Sequence, residues 1–86
     1  MFIKYFSFNQ FSMMGNEEKK FIYNFGITLR KIRLGKNLSQ EMLANDANIP
    51  INQIGRIERA EISTSLSTIY KIATALEIPI KDLFDF

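Results

Sequence analysis

The residue types in this chain limit the reactions that it can catalyse. Its 86 residues include no cysteine and no histidine, which excludes thiol nucleophiles, imidazole bases and the usual Cys/His zinc sites. Closely spaced carboxylates do occur, as the pairs Glu17/Glu18 and Asp82/Asp85, and such pairs can perform general acid–base chemistry. Both pairs lie near a chain end, and no motif typical of a catalytic pocket or a phosphate-binding loop accompanies them. We therefore expect no enzyme activity, no metal and no cofactor.

Hydrogen-bonding side chains in the middle of the chain indicate a different chemistry, that of binding. Asn52 and Arg56 are four residues apart, so a helix carries both side chains on one face. Ile54 and Ile57 fall on another face of the same helix and predict its contact with a core. The amide and the guanidinium are then free to bind a polar partner. A net charge of +2 permits an anionic partner without requiring one.

Helical periodicity organises the chain around this segment. From Phe21 onwards the apolar residues recur at intervals of three and four, and no strand pattern occurs after the first dozen residues. The pattern predicts an all-α domain of five short helices over residues 24–84, with connections of about three to six residues. The side chains expected to face its core are Phe21, Phe25, Leu29, Ile32, Leu43, Ala44, Ala47, Ile54, Ile57, Leu66, Ile69, Ile72, Ala73, Leu76, Leu83 and Phe84.

Capping residues mark the boundaries of the two central helices. Gly35 is placed to end the preceding helix, and Ser39 suits the N-cap of the first central helix. Asn48 tolerates the left-handed conformation that a tight exit requires, and Pro50 pre-sets the first turn of the next helix. The two helices are therefore joined by only a few residues, as in a helix-turn-helix, with the small Ala44 expected at their crossing.

The first twenty residues are expected to form an N-terminal extension or arm, followed by the domain at residues 21–86. The alternation of aromatic residues in this segment favours a short strand or a docking arm. Alternatively, Met13 or Met14 is the true start and the preceding residues are an upstream extension. Polar residues interrupt the apolar run, no signal-peptidase site follows it, and no run reaches the roughly 18 apolar residues of a membrane span. We therefore expect a cytoplasmic protein without a membrane partner. The aromatic residues are Phe2, Tyr5, Phe6, Phe8 and Phe11.

Four short sequence elements follow one another in a single register without gaps. They are Ser39-Gln40-Glu41-x-Leu43-Ala44, Arg56-Ile57-Glu58-Arg59, Ser65-Leu66 and Lys71-Ile72-Ala73-x-Ala75-Leu76. With these elements, the sequence between residues 25 and 84 resembles the lambda-repressor-like, XRE-type helix-turn-helix family. The resemblance implies a five-helix domain that binds double-stranded DNA sequence-specifically, with the helix at about residues 50–59 in the major groove.

The resemblance also implies which side chains contact DNA. Asn52 would pair with adenine, Arg56 with guanine, and Ile51 would contact a thymine methyl group. Phosphate contacts are implied at the start of the second helix and just before it. The implied base contacts are Ile51, Asn52, Gln53, Gly55 and Arg56, the implied phosphate contacts are Lys36, Asn37 and Gln40, and the implied structural ion pair is Arg33 with Glu58.

Several residues depart from the family pattern. The family usually has glycine at the positions of Asn48 and Ala60, often glycine at Glu77, and serine or threonine at Pro50. Asn48 tolerates a left-handed turn, but Ala60 and Glu77 cost stability if these positions keep a positive φ. Pro50 removes a hydroxyl cap from the helix at about residues 50–59, the recognition helix that would lie in the major groove. This change is expected to shift the start of the recognition helix by a residue.

The expected function is that of a small transcriptional regulator that consists of little more than its DNA-binding domain. Phage repressors, controllers of restriction–modification genes and antitoxin-type regulators are all similar in size, and the sequence does not separate them. The alternative is a protein-binding module, such as an antitoxin that masks a partner protein, because acidic residues outnumber arginines within the motif. One recognition helix makes few contacts, so we expect a homodimer on a near-palindromic site. Its interface is expected at the aromatic N-terminus or around Ile78, Ile80, Leu83, Phe84 and Phe86.

Overall fold

Four α-helices and a final 3₁₀ helix make up the part of the chain that the computed structural model describes, residues 15–86. They are α1 (Asn16–Gly35), α2 (Gln40–Ala47), α3 (Ile51–Glu58), α4 (Leu66–Leu76) and the 3₁₀ helix Ile80–Phe84. Residues 15–86 contain no strand, so the prediction of an all-α domain is confirmed. The N-terminal aromatic residues, with the alternatives proposed for them, lie outside the described residues.

The prediction of five α-helices is wrong, because the last element is a 3₁₀ helix. It follows Pro79 and is only five residues long. Its hydrogen bonds span three residues, as the Asp82 N–H donates to the Pro79 carbonyl oxygen at 3.0 Å. So short a segment does not complete two α-helical turns, and the tighter 3₁₀ geometry is common in such pieces. The element nevertheless buries Leu83 completely.

Helix α1 begins at Asn16 and includes residues 16–20, which the sequence assigned to the extension. Gly15 is its N-cap, and the Gly15 N–H donates to Oε1 of Glu18 at 2.6 Å. Glu17 and Glu18 lie in the first turn, where the positive end of the helix dipole favours carboxylates. These charges explain why the helix extends beyond the apolar stripe that begins at Phe21.

Apolar side chains from every element meet in one core. Helix α2 packs against α3 and α4, while α1 packs against α3 and the 3₁₀ helix. Phe21, which was expected to face the core, is 48% exposed near the start of α1, and Leu66, for which the same was expected, is 84% exposed. Leu66 is the first residue of α4 and precedes Ile69, the first residue of that helix to be buried. The largest fully buried side chains are Leu29, Leu43, Ile54, Ile57, Ile72, Leu76 and Leu83.

Helix α1 crosses α3 closely at Gly26. A Cβ atom on this residue would lie 2.6 Å from the Ile57 carbonyl oxygen and 2.8 Å from the Glu58 carbonyl oxygen. Both are backbone atoms, so a larger residue would force the two helices apart. Glycine at this position therefore sets the distance between α1 and the last turn of α3.

Four residues that follow helices have a left-handed backbone conformation although none of them is glycine. The φ angle is 61° at Asn37 and 59° at Asn48, Ala60 and Glu77. Asparagine tolerates this conformation, as predicted for Asn48, whereas alanine and glutamate adopt it at a cost. Ala60 and Glu77 thus have the conformation for which the resemblance implied glycine.

Candidate nucleic-acid interface

Helices α2 and α3 form a helix-turn-helix with a connection of residues 48–50. The left-handed Asn48 ends α2, and the Ile49 N–H donates to the Ala44 carbonyl oxygen at 3.0 Å. Pro50 precedes α3, which begins at Ile51. Ala44 is completely buried, and its small side chain lets the neighbouring helices approach closely. The turn thereby fixes the direction in which α3 presents its outer face.

The outer face of α3 carries most of the side chains predicted to read bases. Ile51, Asn52 and Arg56 are exposed, and Gln53 is half-buried, whereas the two isoleucines on the inner face are buried. The structure therefore brings an aliphatic group, an amide and a guanidinium together on one surface. These groups complement a thymine methyl, an adenine edge and a guanine edge, respectively.

Gly55 differs from these residues because it is buried. A Cβ atom here would lie 2.9 Å from Nη1 of Arg59 and 3.1 Å from Oε1 of Gln40. The missing side chain thus makes room for two longer side chains to lie across α3. This internal role accounts for a glycine that costs about 1 kcal/mol of helix propensity. It also means that Gly55 offers little surface of its own to a partner.

A buried ion pair joins α1 to the last turn of α3. Arg33 donates from Nε and Nη2 to the two carboxylate oxygens of Glu58, at 2.6 and 2.9 Å. The two side chains are 6% and 1% exposed, respectively, and Nη1 of Arg33 donates to the Leu38 carbonyl oxygen at 2.8 Å. The hydrogen bond to Glu58 raises the pKa of Arg33 and outweighs the opposing effect of desolvation. The pair that the resemblance implied is thus a bidentate, desolvated contact.

Gln40 connects this pair to the protein surface. Its Nε2 donates to Oε1 of Glu58 at 3.0 Å, and the same oxygen accepts from Arg33. The half-buried Gln40 side chain, for which the resemblance implied a phosphate contact, is therefore hydrogen-bonded inside the protein. Helices α1, α2 and α3 thus meet at the Glu58 carboxylate. Gln40, one of its two side-chain partners, lies beside Gly55, next to the outer face of α3.

The start of α2 and the connection before it present further hydrogen-bond donors and a positive charge at the surface. Lys36 and Asn37 are exposed and immediately precede this region. The Ser39 hydroxyl accepts the Met42 N–H at 3.0 Å and caps the helix. The first backbone N–H groups of α2 have no hydrogen-bond partner within the helix. They lie at the positive end of the helix dipole. This end of α2 is thus suited to an anion.

Two charged residues beside α3, Arg59 and Glu61, were missed by the sequence reasoning. Arg59 donates from Nε to Oε2 of Glu61 at 2.7 Å, and Nε of Arg56 lies 3.7 Å from Oε1 of the same carboxylate. The opposite charges of residues 56, 59 and 61 were visible in the sequence. Their contact depends on the left-handed turn at Ala60, which the periodicity of α3 does not reveal.

The carboxylate pairs near the chain ends lie at the start of α1 and at the 3₁₀ helix. Glu18 caps α1, and Asp82 lies in the 3₁₀ helix. Within residues 15–86, no group of three or more acidic side chains is arranged to hold a metal ion. The helices of this part of the chain are also too short or too polar to cross a membrane.

Known proteins are similar to this chain in sequence and in fold. The helix-turn-helix family matches residues 29–83. The control protein C.BamHI of Bacillus amyloliquefaciens is 46% identical over 63 residues, which are 72% of this chain and 78% of that protein. The crystal structure of the restriction–modification controller protein C.AhdI from Aeromonas hydrophila superposes with a TM-score of 0.72 at 41% identity, over 73% of this chain and 96% of that one.

A more distant structure shows the same fold. A transcriptional regulator from Vibrio cholerae superposes with a TM-score of 0.75 at 28% identity, over 78% of this chain and 38% of that one. The family match spans more than half of the chain, and it includes α2, the turn and α3 completely. The chain therefore belongs to the helix-turn-helix family.

Proposed function

We propose that this protein binds a specific site in double-stranded DNA and regulates transcription from it. The observation that carries the proposal is the outer face of α3, where Ile51, Asn52 and Arg56 are exposed together opposite a buried isoleucine face. A helix of this kind enters the major groove, where base edges present distinct patterns of donors and acceptors. The similarity to controller proteins favours the genes of a restriction–modification system as the regulated genes.

The proposed contacts divide into those that read bases and those that hold the backbone. Asn52 reads adenine, Arg56 reads guanine, Ile51 contacts a thymine methyl group, and Gln53 lies at the edge of this set. The start of α2 holds a phosphate through its backbone N–H groups, with Lys36, Asn37 and Gln40 beside it. Phosphate contacts of this kind give affinity and register, whereas the contacts of α3 give specificity.

The proposal includes a homodimer, because two recognition helices are needed to read a site of useful length. Among the residues predicted for its interface, Leu83 is fully buried within the monomer and belongs to the core. Ile78 and Phe84 are half-buried against that core. Ile80 and Phe86 are exposed and are the candidate contacts. Because the proposed target is intracellular DNA, the proposal also places the protein in the cytoplasm.

Selection from a pool of random duplexes tests the proposal most directly. The protein should enrich a near-palindromic sequence whose half-sites are about one helical turn apart. Recovery of no common sequence, together with tight capture of a partner protein, would favour the protein-binding alternative instead.

The contribution of Arg56 is measured on the selected duplex and on a scrambled one. Arg56→Ala should cost about 1–3 kcal/mol on the selected site, with relaxed preference at one base pair. Lys31→Ala is the matched control for loss of a positive charge. Lys31 lies two residues from both Leu29 and Arg33, which are buried, and so it faces away from α3 on the opposite side of α1. Equal losses on both duplexes for Arg56→Ala would remove Arg56 from the base-reading set.

A further inference from the structure

The turn after α3 brings Glu61 back beside the helix that it follows. Ala60 has a φ of 59°, and its N–H donates to the Ile57 carbonyl oxygen at 3.0 Å. The Glu61 N–H donates to the Arg56 carbonyl oxygen at 2.8 Å. This pair of hydrogen bonds is the Schellman arrangement that ends many helices. It fixes the backbone of Glu61 next to Arg56.

Two arginines meet the Glu61 carboxylate at this point. Arg59 holds it with two hydrogen bonds, from Nε to Oε2 at 2.7 Å and from Nη2 to Oε1 at 3.3 Å. Arg56 approaches it with Nε, which lies 3.7 Å from Oε1. The hydrogen bond from Arg59 is the main reason why the pKa of Glu61 is lowered, and the positive charges of Arg59 and Arg56 contribute further. The carboxylate is therefore charged at neutral pH.

Folding stability does not account for this cluster of three charges. All three side chains are about half exposed, and ion pairs in such positions contribute little to the stability of the fold. A carboxylate beside the C-terminus of a helix is also disfavoured by the helix dipole. The cluster includes Arg56, which lies on the outer face of α3.

We propose that Glu61 is a positioning residue that orients the guanidinium of Arg56 toward a base. Arg59 holds the carboxylate in place, and the carboxylate faces the Nε side of Arg56. The end of the guanidinium, with both Nη groups, is then presented to the two acceptors of a guanine edge, O6 and N7. This inference rests on the proposed DNA-binding function and adds to it a residue that itself touches no base.

The proposal predicts opposite effects of Glu61→Gln on two measurable quantities. Removing a negative charge near DNA should raise the affinity for scrambled duplexes by about two- to fivefold, because repulsion of phosphate is relieved. Loss of the orienting charge should at the same time lower the ratio of selected-site to scrambled affinity by about three- to tenfold, since a bidentate arginine contact discriminates by about 5- to 150-fold. The loss of preference should fall on the base pair that Arg56 reads.

The matched control for the change in charge is Asp46→Asn. Asp46 is exposed on α2 and takes part in neither of the ion pairs of Glu61. This variant should change the affinity for selected and scrambled duplexes by the same factor and leave base preference unchanged. Thermal melting of both variants checks that neither alters the fold.

The double variant Arg56→Ala/Glu61→Gln shows whether Glu61 acts through Arg56. The effect of Glu61→Gln on the specificity ratio should vanish when Arg56 is already alanine, because the two residues then lie in one chain of contacts. A Glu61→Gln variant that behaves like Asp46→Asn, or that loses specificity equally without Arg56, overturns the proposal. If the unmodified protein itself selects no sequence, the proposed DNA-binding function fails first and this inference fails with it.

Discussion

At the scale of single residues, the carboxylate of Glu58 is the point at which the fold and the candidate interface meet. It accepts hydrogen bonds from Arg33 of α1 and from Gln40 at the start of α2, while Glu58 itself ends α3. A carboxylate that is only 1% exposed is costly to bury unless its partners satisfy it. The position of α3 relative to the start of α2 is therefore tied to this one group.

The first prediction concerns the removal of one partner from the ion pair. Arg33→Met should reduce the free energy of unfolding by about 3 kcal/mol, because Glu58 is left as a buried charge with Gln40 as its remaining side-chain partner. Urea denaturation measures the change. Arg33→Met combined with Glu58→Leu should recover most of the loss, since apolar groups of similar volume replace buried pairs at little cost. A single variant that loses less than about 1 kcal/mol contradicts the prediction.

The second prediction concerns Gly55. It separates the cost of this glycine to helix stability from its role in making room for the Gln40 and Arg59 side chains. Gly55→Ala should raise the stability of the fold by up to about 0.5–1 kcal/mol through helix propensity. The new methyl group would lie 3.1 Å from Gln40 Oε1 and 2.9 Å from Arg59 Nη1, so both side chains must move. We therefore expect weaker binding of both duplexes, with the larger loss on the selected one, because Arg59 holds the Glu61 carboxylate beside Arg56. Parallel melting and titration experiments measure both quantities. Unchanged binding would show that neither the Gln40 nor the Arg59 side chain contributes to DNA binding.

At the scale of helices and turns, two of the helix ends carry strain that the sequence already indicated. Ala60 after α3 and Glu77 after α4 both have a φ of 59°, where a Cβ atom costs about 1–2 kcal/mol. The two turns direct the chain to different places. The turn at Ala60 places Glu61 beside Arg56, whereas the turn at Glu77 leads to the 3₁₀ helix.

The third prediction is that glycine stabilises both turns. Ala60→Gly and Glu77→Gly should each raise the free energy of unfolding by about 0.5–1.5 kcal/mol, because relief of strain exceeds the added freedom of the unfolded chain. Glu77→Gly should gain slightly more, since it also removes a negative charge from the C-terminus of α4. Urea midpoints of the two variants measure the effect. A loss of stability in either would show that the side chain makes a contact worth more than the strain.

The elements were predictable from the sequence to the extent that they depend on local signals. Caps at Ser39 and Asn48 and the apolar stripe of α3 are local, and they predicted the helix-turn-helix. The exposure of Leu66 and the 3₁₀ geometry after Pro79 depend on where the core ends, which periodicity does not encode. The contact of Glu61 with Arg56 likewise needs the direction of a turn. The hydrogen bond from the Gln40 amide to Glu58 depends on how α2 and α3 pack together, so it was found only in the structure.

At the scale of the whole molecule, the exposed apolar residues outside the interface require an explanation. Ile80 and Phe86 are 41% and 52% exposed at the C-terminal end of the chain, and Phe21 of α1 lies beside Phe86 with a distance of 5.4 Å between ring centroids. Phe21 and Phe86 therefore form an apolar patch where α1 meets the C-terminal end of the chain, and Ile80 is exposed at the start of the 3₁₀ helix. A second copy of the chain that covers the patch would also supply the second recognition helix that a near-palindromic site requires.

The fourth prediction tests this assembly with a single charge. Ile80→Asp should convert the proposed dimer to a monomer in sedimentation equilibrium, because an aspartate in an apolar interface must be desolvated without a partner. It should leave the monomer folded, since Ile80 is 41% exposed and lies outside the core. Ile27→Asp is the matched control. Ile27 is 39% exposed and lies two residues from both Phe25 and Leu29, which are buried, so it faces away from the side of α1 that carries Phe21. With independent half-sites, the affinity of Ile80→Asp for the full palindrome should fall by about a hundredfold or more, while its affinity for an isolated half-site stays the same.

If Ile80→Asp remains a dimer, the interface does not lie at the 3₁₀ helix. If the unmodified protein is a monomer both with and without DNA, the proposed dimer is wrong.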